Sequence, residues 1–164
     1  MRRMRLVFLF LMIFALVLPG MLGVQGCACS SNATTNSSRL DLRVDHAYYY
    51  DLDEDNYKDD VLTRFIIEST SGYYEAFDNL IYVYLKTPSG LTYYTYFRLY
   101  GYIAKVKISV KWFNTVSQAG WYTFTVSFTR VEANYYRYYE ASRTFDPPDK
   151  GPPGHPYTRV SLSY

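Results

Sequence analysis

The sequence has almost no cysteine, because Cys27 and Cys29 are the only two and both lie near its start. A Cys-x-Cys pair is too closely spaced to close an unstrained disulfide loop. The remainder of the chain therefore has no disulfide and no thiol chemistry, and its stability must come from a packed core. About 125 residues follow residue 39, a length that suits one domain burying roughly two-thirds of its unfolded surface.

Histidine, catalytic motifs and net charge are also scarce. His46 and His155 are the only histidines, and no nucleophile motif, phosphate-binding loop or HExxH pattern accompanies them. The formal net charge is only +2, with lysine and arginine spread along the sequence, which argues against a nucleic-acid interface. The sequence therefore predicts neither an enzyme nor a nucleic-acid-binding protein.

No stretch after residue 30 shows the periodicity of an amphipathic helix. Apolar and polar residues alternate there instead, with a period of two. In "AKVKISVKWF" (104–113), Val106, Ile108 and Val110 alternate with lysine and serine, which is typical of a strand with one buried face. "WYTFTVSFT" (121–129) repeats this pattern. Further strands are expected at 40–50, 61–68, 80–86, 91–100, 135–143 and 158–164, with turns at 51–60, 71–72, 88–90, 101 and 119–120. Seven or eight such strands predict an all-β antiparallel sandwich.

One stretch indicates which type of β-sandwich to expect. "AGWYTFTVSF" (119–128) resembles the tyrosine-corner entry of immunoglobulin-like domains. This resemblance implies that Tyr122 is buried and that its hydroxyl bonds back to the preceding turn. The inter-sheet cysteine pair of antibody domains is absent, as in many prokaryotic surface modules with this fold.

The first residues predict export. Arginines precede an unbroken apolar run, Leu6–Leu18, which Pro19 and Gly20 interrupt, and this order is typical of a secretory signal peptide over 1–26 with a helical apolar region. The alternative is a retained single-span anchor, because 6–24 is nearly long enough to cross a bilayer. Both interpretations place the protein outside the cell, at its surface, membrane-anchored or secreted.

The end of this segment suggests how the protein is held there. "VQGC" (24–27) resembles the lipobox of prokaryotic lipoproteins. The resemblance implies cleavage before Cys27 and lipidation of its sulfur, which would attach the protein to the membrane. The alternative is ordinary cleavage near Gly26 or Ala28 and release.

Two further segments differ from the strand pattern. Residues 27–39 are rich in Ser, Thr and Asn and are expected to form a flexible tether. Asn32 and Asn36 begin acceptor sequons for glycosylation there. Within the 40–164 domain, "FDPPDKGPPGHPY" (145–157) holds five of the seven prolines, so it is expected to be an extended loop before a last strand, or else a disordered tail.

An acidic turn is the strongest candidate site in the sequence. "DLDEDNYKDD" (51–60) contains six acidic residues among ten. Its spacing resembles the DxDxDG calcium loops of EF-hands, dockerins and thrombospondin type 3 repeats, in which alternate residues and a backbone carbonyl bind the ion. The predicted ligands are Asp51, Asp53, Asp55, Tyr57 through its carbonyl, Asp59 and Asp60.

The turn departs from those families in two respects. Leu62 occupies the position of the EF-hand's bidentate Glu, and the residues on either side of the turn have the pattern of strands rather than helices. Asn56 takes the place of the usual Gly and is the residue that best tolerates a left-handed backbone. Asp60, or Asp78 or Glu75 from elsewhere, could supply the missing carboxylate. An oxygen-only set favours Ca²⁺ in a structural role, and the alternative is a solvated acidic turn.

Tyrosine is the residue in greatest excess, with 20 among 164. If Ile81, Val83 and Leu85 are buried, the alternation exposes Tyr82 and Tyr84, and it similarly exposes Tyr94 and Tyr96 on the next strand. These four tyrosines are predicted to bind a ligand, since Tyr packs on sugar rings or on proteins while its hydroxyl stays in water. The alternative is cross-strand pairing that only stabilises a sheet.

The sequence as a whole predicts a calcium-stabilised binding or structural module at the cell surface. Its partner would be a surface protein, a glycan or another copy of itself. Two more specific alternatives are a carbohydrate-binding module that uses the four tyrosines, and a filament subunit whose terminal strand "RVSLSY" (159–164) adds to a neighbour's sheet.

Overall fold

The computed structural model describes residues 40–132, 135–147, 151 and 154–163. The predicted signal peptide, the tether, the lipidation site at Cys27 and the sequons at Asn32 and Asn36 lie outside these residues. The described part of the chain contains no helix with the length and apolarity needed to span a membrane.

The described residues form eight antiparallel strands in two four-stranded sheets. The strands are β1 (Leu40–Tyr50), β2 (Asp60–Ser69), β3 (Glu75–Lys86), β4 (Thr92–Ile103), β5 (Lys105–Phe113), β6 (Tyr122–Glu132), β7 (Tyr135–Phe145) and β8 (Tyr157–Ser163). One sheet has the order β1-β2-β5-β8 and the other has the order β4-β3-β6-β7. The predicted all-β antiparallel sandwich is confirmed.

Alternation along each strand divides the side chains between the core and the solvent. In β5 the residues Val106, Ile108 and Val110 are fully buried, while the lysines between them point outward. β3 and β6 behave in the same way, because one face of each sheet packs on the other sheet and the second face meets water. A buried Val, Leu, Ile or Phe side chain stabilises the fold by about 1.5–3 kcal/mol.

Trp112 lies at the centre of the core. Its ring meets Phe124 of the opposite sheet edge-on, with 6.4 Å between ring centroids. The indole N–H donates a 3.0 Å hydrogen bond to the Thr63 hydroxyl, which in turn donates to the Val110 carbonyl. The one polar group of this large side chain is therefore satisfied although the residue is fully buried.

Tyr122 has the geometry that the tyrosine-corner resemblance implied. The side chain is buried, and its hydroxyl donates to the Gln118 carbonyl at 3.0 Å and accepts from the Gln118 N–H at 3.1 Å. These two bonds fix the turn before β6 against the start of that strand.

Several strand boundaries differ from the predictions, and the differences in β3 and β4 are important for the site. β3 begins at Glu75, five residues before the predicted start, because Phe77 and Asn79 continue its inward alternation. Gly101 does not form a turn: it pairs with Phe77 inside β4 at φ 136°, a backbone angle that suits glycine, and the strand continues to Ile103.

Candidate metal centre and tyrosine face

The acidic turn closes the hairpin between β1 and β2. Tyr50 pairs with Asp60, so residues 51–59 form the loop at the end of the two strands. Asn56 has φ 72°, the left-handed conformation expected for it, and Glu54 has φ 64°. A Glu in this region is uncommon, which indicates that the hydrogen bonds of the loop impose its path.

Two of the aspartates accept hydrogen bonds from the loop's own backbone. Asp51 accepts from the N–H groups of Asp55 and Asn56, each at 3.1 Å. Asp55 accepts from the Tyr57 N–H at 2.9 Å. These bonds satisfy donors that a tight loop would otherwise leave unpaired.

Asp60 anchors the loop to the body of the sandwich. Its buried carboxylate accepts from the N–H groups of Leu52 at 2.6 Å, Asp53 at 3.2 Å and Asn114 at 2.8 Å. Burial raises the pKa of Asp60, and the N–H groups of Asn114 and Leu52 oppose that rise. Since Asn114 follows β5, this carboxylate joins two loops that are distant in sequence.

Three of the six predicted ligands converge. Asp51, Asp53 and Asp60 each offer a carboxylate oxygen, and these oxygens lie within 4.8 Å of one another. Asp55, Tyr57 and Asp59 are not in this group. The two alternative ligands are engaged elsewhere, because Asp78 forms a two-pronged ion pair with Arg98, and Glu75 pairs with Arg130.

Asp59 occupies an unusual environment beside this group. It is fully buried, and neither carboxylate oxygen has a hydrogen-bond partner in the described structure. Burial, together with the charges of Asp55 and Asp60, raises its pKa to about 6. The backbone of Gly151 packs so closely on Asp59 that a Cβ added at residue 151 would overlap the Asp59 side chain. A buried carboxylate without donors is costly, and a cation would offset that cost.

The outer side of the sheet β4-β3-β6-β7 carries the predicted tyrosine band. Tyr82 pairs with Tyr96 and Tyr84 pairs with Tyr94 across β3 and β4. Tyr94 and Tyr96 are 67% and 60% exposed, and the rings of Tyr82 and Tyr96 lie 6.0 Å apart. The four side chains therefore form one contiguous aromatic surface.

Four further exposed tyrosines extend this surface, which we name the tyrosine face. Its members are Tyr82, Tyr84, Tyr94, Tyr96, Tyr100, Tyr102, Tyr136 and Tyr138. The predicted turn at Gly101 excluded Tyr102 from the strand, whereas Tyr100 lies inside the predicted strand 91–100 and continues the alternation of Tyr94 and Tyr96. Tyr136 and Tyr138 were missed because only the pairing of β6 with β7 places them on the same side; their alternation in "YYRYY" was the available signal.

A cleft adjoins one edge of the tyrosine face. It has a volume of about 320 Å³ and lies where β4 and β8 begin, on opposite sheets. Its walls include Thr92, Tyr93, Tyr94, Tyr157 and Thr158. Tyr94 thus belongs to both features, and the lining combines aromatic rings with hydroxyl groups.

Comparison with known proteins gives no family. No protein-family model matches the chain, and no curated protein matches it significantly.

Proposed function

We propose that this protein is a non-enzymatic binding module of the cell surface, exported by its N-terminal segment, and that the tyrosine face contacts its ligand. The observation that carries the proposal is the clustering of eight tyrosines on one side of one sheet, seven of them exposed and Tyr84 half-buried. Exposed aromatic surfaces larger than a few hundred Å² mark interaction sites more often than they mark bare surface.

A glycan is the class of ligand that this surface suits best. Tyrosine rings pack on the apolar faces of sugars while their hydroxyl groups remain able to hydrogen-bond. The charges among the tyrosines nearly cancel, because Arg98 forms an ion pair with Asp78, and Lys86 and Glu140 carry opposite charges. A flat and nearly neutral polymer could lie across the face, with one sugar unit entering the adjoining cleft.

Calcium binding at the acidic turn forms the second part of the proposal. Asp51, Asp53 and Asp60 would hold the ion, beside the buried Asp59, whose carboxylate accepts no hydrogen bond from the described residues. Their ligand atoms are all oxygens, which favours a hard cation such as Ca²⁺. When bound, the ion would neutralise these charges and fix the loop between β1 and β2.

Replacing part of the tyrosine face tests the binding role directly. The double variant Tyr94→Ala/Tyr96→Ala should lose at least tenfold in affinity for its glycan, because each aromatic contact contributes about 1 kcal/mol. The matched control is Tyr48→Ala/Tyr50→Ala, which removes two exposed tyrosines from β1, on the other sheet. The measurement is a screen on immobilised neutral polysaccharides followed by titration of the best binder. Equal losses in both variants, or no binding by the wild type, would contradict the glycan proposal.

Self-assembly through a sheet edge is a second candidate function. β8 is an edge strand, and its inward-facing Val160 and Leu162 remain 39% and 45% exposed. β8 pairs with β5 of its own chain, so a filament would form by exchange of β8 or by pairing at its open edge.

A further inference from the structure

The outer side of the sheet β1-β2-β5-β8 gathers cations that are scattered along the sequence. The strand register aligns Lys111 with Arg159 and Lys105 with Glu68 on this side. We name this surface the basic face. Its cations are Arg43, Arg64, Lys105, Lys107, Lys111 and Arg159.

Carboxylates neutralise only one half of the basic face. Glu68 accepts from Arg43 at 2.9 Å and from Lys105 at 3.1 Å, and Asp45 lies 3.8 Å from Arg64. Among the described residues, Lys107, Lys111 and Arg159 have no carboxylate within ion-pair distance. The excess positive charge is therefore concentrated on β5 and β8.

The surroundings of these three cations suit anionic oxygens. Ser109 pairs with Ser161 between Lys107 and Lys111, and Lys107 itself pairs with Ser163. Serine hydroxyl groups thus lie next to the cations on both strands. Arg159 lies over the rings of Phe113 and Tyr157, at 5.6 and 5.8 Å from their centroids, which orients its guanidinium before any ligand binds.

We propose that the basic face binds an acidic polysaccharide through Lys107, Lys111 and Arg159. Alternate residues of a strand recur about every 7 Å, so a linear polyanion lying along β5 meets Lys105, Lys107 and Lys111 in turn. Its carboxylate or sulfate groups would accept hydrogen bonds from the cations and from the serines between them. This site is independent of the tyrosine face, which lies on the other sheet.

The same face is poorly suited to a membrane surface. Interfacial binding combines cations with apolar side chains that enter the bilayer. On this face Ile66 and Phe113 are buried, and the exposed rings of Tyr48 and Tyr157 lie at its margins, stacked on Tyr49 and Phe113 respectively. Charge complementarity with a soluble or wall-bound polymer is therefore the better match.

Replacing two lysines distinguishes a specific polyanion-binding site from nonspecific electrostatic attraction to the whole protein. Polygalacturonate and dextran sulfate, with uncharged dextran as reference, are immobilised and titrated with the purified protein at several NaCl concentrations. Lys107→Gln/Lys111→Gln should weaken polyanion binding about tenfold and flatten its salt dependence, as expected for two lost charge contacts. Lys58→Gln/Lys86→Gln removes the same charge outside the basic face and should change affinity by less than about twofold.

Three results would overturn the proposal: no polyanion binding by the wild type, equal losses in the two double variants, or tighter binding to anionic phosphatidylglycerol vesicles than to either polymer. The last result would identify a membrane surface as the partner. Circular dichroism of each variant establishes that the fold is intact.

Discussion

Asp59 and Tyr122 are both fully buried, yet within the described part of the chain only Tyr122 has a hydrogen-bond partner for its polar group. The tyrosine hydroxyl has both a donor and an acceptor in Gln118, as a stabilising contact requires. The aspartate has no donor among the described residues, so its burial lowers the stability of the fold unless a proton or a cation neutralises it. Burial of Tyr122 therefore stabilises the fold, whereas burial of Asp59 is costly and is explained better by a role at the candidate metal centre.

Tyr122→Phe should destabilise the domain by about 1–2 kcal/mol, because it leaves the half-buried backbone N–H and carbonyl of Gln118 without this partner. Tyr102→Phe removes the same hydroxyl from an exposed ring and should change the free energy of unfolding by less than about 0.5 kcal/mol. Urea unfolding of both variants measures the difference. Equal destabilisation would show that the Tyr122 hydroxyl does not hold the turn.

At the scale of elements, the strands could be predicted from the sequence, but the contacts between distant segments could not. The alternation in β5 and β6 placed Val106 and Phe124 in the core correctly, because period two follows directly from strand geometry. The loop positions of Asp51 and Asp53 followed from spacing. The orientation of the Asp60 side chain could not be predicted, because one of its hydrogen-bond donors is Asn114, which is 54 residues away in sequence.

Calcium binding to the loop between β1 and β2 should raise the thermal stability of the domain. At a concentration of 100 times its Kd, the ion would stabilise the folded state by about 2.7 kcal/mol and raise the melting midpoint by about 10 °C. Asp53→Asn should remove most of this increase, because it takes a charge from the converging group. Asp45→Asn, outside the loop, should retain it.

Scanning calorimetry with calcium, with magnesium and with a chelator measures this response. If the midpoint of the wild type is the same in calcium and in chelator, the acidic turn is only a solvated loop. The Asp45 variant controls for the general effect of removing one carboxylate.

At the scale of the molecule, the two sheets present different chemistry to the solvent. Tyrosines cover the outer side of one sheet, and cations cover the outer side of the other. The sequence predicted part of the tyrosine face, because neighbouring strands carry the same alternation. It did not predict the basic face, because Lys111 and Arg159 become neighbours only when β8 pairs with β5.

The open edge at β8 allows a test of self-assembly. If the second candidate function holds, the wild type should form larger species as its concentration rises. Val160→Lys/Leu162→Lys should abolish them, because charges on the inner side of an edge strand oppose strand addition. Ser161→Lys/Ser163→Lys adds the same charge on the outer side of β8 and should have a weaker effect. Sedimentation velocity measures all three proteins, and a wild type that stays monomeric at every concentration would exclude this function.

The pairing of β2 with β5 has a consequence for how fast the domain forms. Val61 and Trp112 are opposite one another although they lie 51 positions apart in the sequence. The pairing of β5 with β8 is similarly non-local, whereas β1 and β2 form a local hairpin. Each such pairing requires a long loop to close before its contacts contribute. Refolding is therefore expected on the scale of milliseconds to seconds, as for other sandwiches of high contact order.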